Sequence, residues 1–218
     1  MKSNEDIFIS IVVPMFNESE NIGILYERLT MVLANLNRTY EVICVNDGSR
    51  DDTLQKMIKI NQMNPRFKII DLSRNFGKEI ALSAGLDYAS GEVVVPIDAD
   101  LQDPPELIYE MIEKWNEGYD VVYAVRTQRD GESWFKKSTA ALFYKIIGKI
   151  SPIDIPGNTG DFRLMSRQAV DAIKELRETH RFMKGLFGWI GFRQAAIMYN
   201  RMPVMRARPN GTMGNYGI

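Results

Sequence analysis

The 218-residue chain contains only one cysteine and one histidine. A single thiol cannot close an intramolecular disulfide, and Cys44 falls inside the apolar stretch Tyr40 to Val45, where it reads as a small buried hydrophobe in a reducing compartment. His180 has no Cys or His at zinc-ligand spacing, so it reads as structural. Long apolar runs are missing too: none approaches the roughly 18 to 20 residues that span a bilayer. The acidic start, Met1 to Asp6 ahead of a short apolar run, does not fit a secretory signal. The first strand-to-helix turn has no G-x-G-x-x-G, which argues against a nucleotide-dependent oxidoreductase. Ser49 has no base in view, which argues against a serine hydrolase. There is no repeat and no low-complexity tract, and no nucleic-acid partner is expected.

Charge of one sign is scarce only locally. The net charge is −1, yet from Arg177 onward seven Lys or Arg face one acid, Glu178. That part of the chain is expected to meet anions. With 45% hydrophobic residues, the chain can bury one sizeable core. The expectation is one catalytic core over residues 1–165, with a basic, amphipathic, helical extension of the same domain over 166–218.

The apolar pattern predicts alternation of strand and helix. Phe8 to Pro14 reads as strand, and Ile22, Leu25, Leu29, Leu33 and Leu36 recur at helical spacing. Val42 to Val45 is strand, Asp51 or Asp52 can cap a helix carrying Leu54, Met57 and Ile58, and Phe67 to Leu72 is strand again. Lys78 to Ala89 suits a helix, followed by a strand ending at Asp98, a helix from Pro104-Pro105 to Trp115, and strand Val121 to Val125. From about Trp134 a long helix is expected, then a loop at Ser151 to Gly160, a short strand Phe162 to Met165 and further helix. Short apolar strands in such a βα series predict an α/β fold with a mostly parallel, Rossmann-like sheet and helices on both faces.

Ligands of open α/β sheets bind beyond the carboxyl ends of the strands, and the unusual polar residues fall there. The first strand ends in Pro14-Met15-Phe16-Asn17-Glu18, the second in Asn46-Asp47-Gly48-Ser49, the third in Ser73 to Lys78, and the fourth in Asp98-Ala99-Asp100. Each alone also fits a turn or a helix start; four on one edge point to a site. Two carboxylates at a strand end, with Gln102 close behind, suit a hard divalent cation that takes its other ligands from substrate phosphates.

These motifs resemble the inverting glycosyltransferases of GT-A fold, and more narrowly the polyprenyl-phosphate and dolichyl-phosphate hexose synthases. The family pattern P-x-(Y/F)-N-E appears at Pro14, Phe16, Asn17 and Glu18, D-G-S at Asp47 to Ser49, R-N-x-G-K at Arg74 to Lys78, and D-A-D-L-Q-x-P-P-E from Asp98 to Glu106. Gly160-Asp161-Phe162-Arg163-Leu164, Arg181-Phe182-Met183 and Gly185-Leu186-Phe187-x-Trp189 look most like bacterial bactoprenol glucosyltransferases. The resemblance implies that Pro14, Phe16, Glu18, Asp47 and Asp98 hold the base and ribose, with Asn17, Gly77, Lys78 and Ala99 completing the nucleotide-sugar site. It implies that Asp98, Asp100 and Gln102 present Mg²⁺ or Mn²⁺ to the diphosphate, and that Asp161 and Asp100 are the catalytic carboxylates. The closing lysine of the family's R-x-x-G-(E/S)-(S/T)-K is absent from Arg208 to Met213, which leaves Arg208 alone for the diphosphate. Two C-terminal membrane helices usual in bactoprenol glucosyltransferases do not follow; either the sequence is part of a longer protein or this member docks peripherally.

The implied reaction moves a hexose, glucose from UDP-glucose, onto polyprenyl phosphate at the cytoplasmic face of a membrane. Rivals are mannosyl transfer from GDP-mannose, transfer to a sugar alcohol, and a nucleotide-sugar-binding module without catalysis. Asp161 fits either a base or a group that orients the acceptor. Arg126, Arg129 and Arg163 offer forked donors for the acceptor phosphate. Trp134 to Ile150 and Phe182 to Phe192 mix aromatic and basic residues, which suits a membrane surface as well as a core-facing helix. Oligomeric state is left open.

Overall fold

Seven strands share one sheet in the order β3-β2-β1-β4-β6-β5-β7. The structure, a computed structural model, describes residues 6–126, 159–176 and 191–200. The strands are β1 (Ile9–Met15), β2 (Tyr40–Asn46), β3 (Phe67–Asp71), β4 (Val93–Pro96), β5 (Val121–Arg126), β6 (Thr159–Ser166) and β7 (Gln194–Tyr199). Between them lie α1 (Ile22–Asn35), α2 (Thr53–Met63), α3 (Lys78–Tyr88), a 3-10 turn (Pro105–Leu107), α4 (Ile108–Asn116) and α5 (Arg167–Glu175). All neighbouring strands pair in parallel except β6, which runs antiparallel to both β4 and β5. The expected mostly parallel α/β sheet is what forms.

Period-two alternation divides the central strands between two cores. Ile9, Ile11, Val13 and Met15 of β1, with Val42 and Cys44 of β2, join α1, α2 and α4 on one face. Val12, Ile43, Val45 and Val94 point the other way, onto α3 and α5. Because these strands are covered on both sides, they read as unbroken apolar runs. Gly85 lets α3 approach the sheet: a Cβ there would lie 2.2 Å from Val12 Cγ1.

Three details differ from the sequence reading. Strand β6 begins at Thr159, so Gly160 and Asp161 belong to the strand and not to a preceding loop. Residues 194–199 form a strand where helix is expected; Ile197 and Tyr199 turn inward while Met198 is exposed. Asp52 occupies the position before α2 without a side-chain cap; the neighbouring Asp51 Oδ1 accepts from Thr53 N at 3.1 Å instead. Among the described residues no helix is long and apolar enough to cross a membrane.

Candidate active site

The carboxyl ends of the parallel strands and the start of the reversed β6 meet at one sheet edge. Reversal of β6 is what brings Gly160 and Asp161 there, at its N-terminal end. A cavity of about 300 Å³ opens at this edge, lined by Pro14, Met15, Phe16 and Glu18 after β1, Asp47 after β2, Asn75, Gly77, Lys78 and Ala81 at the start of α3, and Asp98, Ala99 and Asp100 after β4. Eight of the residues expected at a nucleotide-sugar site, Pro14, Phe16, Glu18, Asp47, Gly77, Lys78, Asp98 and Ala99, therefore line one cavity, together with Asp100, expected as a metal ligand.

The loops that build this wall are tied by side chains to backbone amides. Asp47 accepts from Phe76 N at 2.7 Å through Oδ1 and from Gly77 N at 2.9 Å through Oδ2, so both its oxygens hold the loop ahead of α3. Gly48 makes this approach possible. It has φ +65°, and a Cβ on it would lie 2.4 Å from the Arg74 carbonyl carbon. Asn17, at φ 55°, links the β1 and β2 loops: its amide donates to Ser49 Oγ at 3.0 Å, and its Oδ1 accepts from Arg50 N at 2.8 Å. Asn17 thus shapes the wall without lining the cavity.

After β4, Leu101 takes φ 53°, an uncommon conformation for a branched residue, while its side chain is buried in the core. Burial of that side chain helps hold the strained turn that presents the acids. Glu106 accepts twice from Arg28 Nη2, at 2.7 and 2.6 Å, which fastens the far end of the loop to α1.

Charge is concentrated at the cavity floor. Lys78 Nζ lies 2.6 Å from Asp98 Oδ1 and 2.7 Å from Asp161 Oδ2. Burial opposes the ammonium, yet the two carboxylates lift its pKa well above the ordinary lysine value. Burial raises Asp98 despite the favourable field of Lys78. Glu18 is raised first by burial and further by the nearby negative charges of Asp100, Asp98 and Asp51, against a hydrogen bond from Asn21.

A hard cation fits these residues. Glu18 feels the negative fields of Asp98 and Asp100, every available donor is oxygen, and Gln102 carries a buried Oε1 with no hydrogen-bond partner among the described residues, while its amide donates to Asp100 Oδ1 at 3.1 Å. Among the described residues no three Asp, Glu, His or Cys side chains converge into a ready-made cage. Asp98, Asp100 and Gln102 would hold Mg²⁺ or Mn²⁺ with phosphate oxygens completing the shell.

Asp161, near the N-terminal end of β6, is 13% exposed. Arg163 is buried. It donates to Gly160 O at 2.8 Å and Asp161 O at 3.3 Å, so it braces the start of β6, and burial pulls its pKa down to about 10. Arg126 lies at the end of β5, pairing with the buried Asp103 at 3.1 Å and donating through Nε to Tyr199 at 3.0 Å. Asp103 and Tyr199 were not singled out by sequence; a tyrosine at a strand end would have drawn notice only once β7 was recognised. Arg129, Arg208, His180 and the stretches 134–150 and 182–190 lie outside the described residues.

The family model "Glycosyl transferase family 2" matches residues 10–174, which contain the cavity and both acidic motifs. The chain belongs to glycosyl transferase family 2. Within this family, an uncharacterized glycosyltransferase of Synechocystis sp. is 60% identical over 197 residues, covering 90% of this chain and 62% of the relative. A bactoprenol glucosyl transferase of Shigella phage SfV is 45% identical over 193 residues, covering 88% and 63%. The chain thus spans about six-tenths of the length of these curated relatives. Solved structures share the fold. A mannosyltransferase from Pyrobaculum calidifontis in complex with GDP-Man and Mn²⁺ aligns with TM-score 0.60 at 19% identity, over 89% of this chain and 56% of that one. Glucosyl-3-phosphoglycerate synthase from Mycobacterium tuberculosis, in complex with Mn²⁺, UDP-Glc and phosphoglyceric acid, aligns with TM-score 0.55 at 20% identity, over 93% and 73%.

Proposed function

We propose that the protein transfers a hexose, glucose from UDP-glucose, to polyprenyl phosphate with inversion, using Mg²⁺ or Mn²⁺, at the cytoplasmic face of a membrane. The observation that carries this reading is a lysine of the cavity, Lys78, that pairs both with the cavity's own Asp98 and with Asp161 from the start of β6. The 45% identity to a bactoprenol glucosyl transferase supports the lipid acceptor and the glucosyl donor.

Each residue then has a task. Phe16, 41% exposed beside Pro14, offers a face for the base, and Asp47 keeps the Phe76–Gly77 turn in place below it. Asp98, Asp100 and Gln102 hold the cation, which when bound supplies Lewis-acid stabilisation of the leaving diphosphate. Arg126 and Arg129 receive the acceptor phosphate, Arg163 braces β6 beneath it, and Arg208 reaches the diphosphate. A lipid phosphate, with a second pKa of about 6, is largely anionic at neutral pH, so its oxygen needs alignment more than deprotonation. Asp161 supplies that alignment: the phosphate oxygen bonds to the anomeric carbon from the face opposite the diphosphate, and the bond from that carbon to the diphosphate oxygen breaks.

Labelled UDP-glucose and GDP-mannose, each offered with a polyprenyl phosphate or with a free sugar, separate the readings. Transfer from UDP-glucose to the lipid phosphate is expected, with Asp161→Asn retaining donor binding and losing transfer. Transfer from GDP-mannose alone overturns the donor, transfer to the free sugar alone overturns the acceptor, and binding without any turnover leaves a nucleotide-sugar-binding module.

A further inference from the structure

Three side chains from distant parts of the sequence close on one another at the acceptor end of the sheet. Tyr199, the last residue of β7, donates its hydroxyl to Asp103 Oδ1 and accepts from Arg126 Nε at 3.0 Å. Arg126 Nη2 reaches the same carboxylate at 3.1 and 3.4 Å. Asp103 is 2% exposed and Tyr199 7% exposed, whereas the Arg126 side chain keeps 21% of its surface. The guanidinium lies against Gly160: a Cβ there would sit 3.3 Å from Nη2 and 3.6 Å from Asp103 Oδ2. Its neighbour in sequence is Asp161.

We infer that Tyr199 and Asp103 are positioning residues that fix the Arg126 fork beside Asp161, so that its remaining nitrogen meets the acceptor phosphate already oriented. This rests on the reading of the acceptor as a lipid phosphate. Two of the three guanidinium nitrogens, Nε and Nη2, are committed to the cluster, and among the described residues Nη1 makes no hydrogen bond. A long arginine side chain loses much rotamer freedom when it grips an anion, and a side chain already held loses less. The tyrosine keeps its proton throughout, because burial and donation to Asp103 push its pKa up to about 12. Asp103 follows the metal-side acids by only a few residues in the same loop. One loop therefore sets donor acids at one end and the acceptor fork at the other.

Steady-state kinetics of the full chain with UDP-glucose and a short polyprenyl phosphate in detergent test this. Tyr199→Phe is expected to raise the acceptor KM about tenfold, the scale of one lost hydrogen bond to a charged group. Affinity for UDP should stay unchanged. Asp103→Asn, as a second variant, should act in the same direction. Because Tyr199 acts through Arg126, the effect should vanish in an Arg126→Ala background. An unchanged acceptor KM in folded Tyr199→Phe, or an equal rise in the Arg126→Ala background, overturns the inference and leaves the lipid-phosphate reading standing. Wild-type protein that transfers to no polyprenyl phosphate overturns both.

Discussion

Lys78 Nζ lies 2.7 Å from Asp161 Oδ2, so the first residue of α3 restrains a carboxylate delivered by the reversed strand β6. The same ammonium pairs with Asp98 at 2.6 Å, placing one positive charge between two acids at the proposed cation site. Removing that charge takes away the cation that the two acids share, which favours any cation that can enter. Lys78→Met is therefore expected to strengthen Mn²⁺ binding in the absence of nucleotide by several-fold, and to weaken UDP-glucose binding because a diphosphate contact is lost. Titration calorimetry reads both. Weaker Mn²⁺ binding by the variant, with its thermal midpoint intact, would contradict the placement of Lys78.

Asp100 has a narrower role. It lines the cavity on a turn held by Leu101 and by the Gln102 amide, so Asp100→Ala removes a ligand while the buried Leu101 continues to anchor the turn. The variant is expected to fold and to bind UDP-glucose equally with and without EDTA. Wild-type donor affinity should fall when EDTA is added. Wild-type affinity that ignores EDTA would remove the cation from the donor site.

Gly48 is the most sterically constrained glycine of the site loops. Adding a methyl would bring it 2.4 Å from Arg74 C and 2.5 Å from Asn75 N, both backbone atoms that cannot rotate aside. Left-handed strain adds about 1–2 kcal/mol. Gly48→Ala should therefore push the Arg74–Gly77 loop away from Asp47 and reduce donor affinity more than it reduces stability. Thermal unfolding beside UDP-glucose titration separates the two effects, and a variant with normal donor affinity would show that the loop's position does not matter for binding.

The sheet and its ligand edge were legible because burial on both faces writes itself as short apolar runs ending in Asn, Asp and Gly. The expected donor residues gather at one cavity for the same reason: Phe16, Asp47 and Asp98 follow strands β1, β2 and β4 by one or two positions, and Gly77 and Lys78 open α3 beyond β3. Strand β7 was not legible. Gln194-Ala195-Ala196-Ile197-Met198-Tyr199 has two inward residues and two alanines with strong helix propensity, and its strand character comes from pairing with β5. With β7 hidden, Tyr199 had no address, and the partners that hold Arg126 could not be named. The burial of Arg163 was hidden for a related reason: spacing from Asp161 shows that both point to one side of a strand, but not that this side is buried.

Glu41 gives the fold a pH dependence unrelated to the site. It lies within β2 at 1% exposure, where it accepts from Ser10 Oγ at 2.5 Å, from Ser90 N and Oγ at 2.8 Å each, and from Lys68 Nζ at 2.5 Å. Burial pushes its pKa up, but these donors outweigh burial and hold it below the ordinary 4.5. A depressed folded-state pKa means that the ionised form stabilises the native state. That contribution is whole above pH 4.5 and is lost as pH falls below 4.5 through the depressed value. Lys68 is half exposed, so the ion pair is screened and the neutral donors carry most of the effect. Glu41→Gln, which keeps the shape and removes the charge, is expected to cost about 2 kcal/mol at pH 7. Urea unfolding at pH 7 and at pH 3 checks the sign: the gap between wild type and variant should narrow at the lower pH, and a gap that stays constant or widens would show that Glu41 is not held ionised by its buried donors.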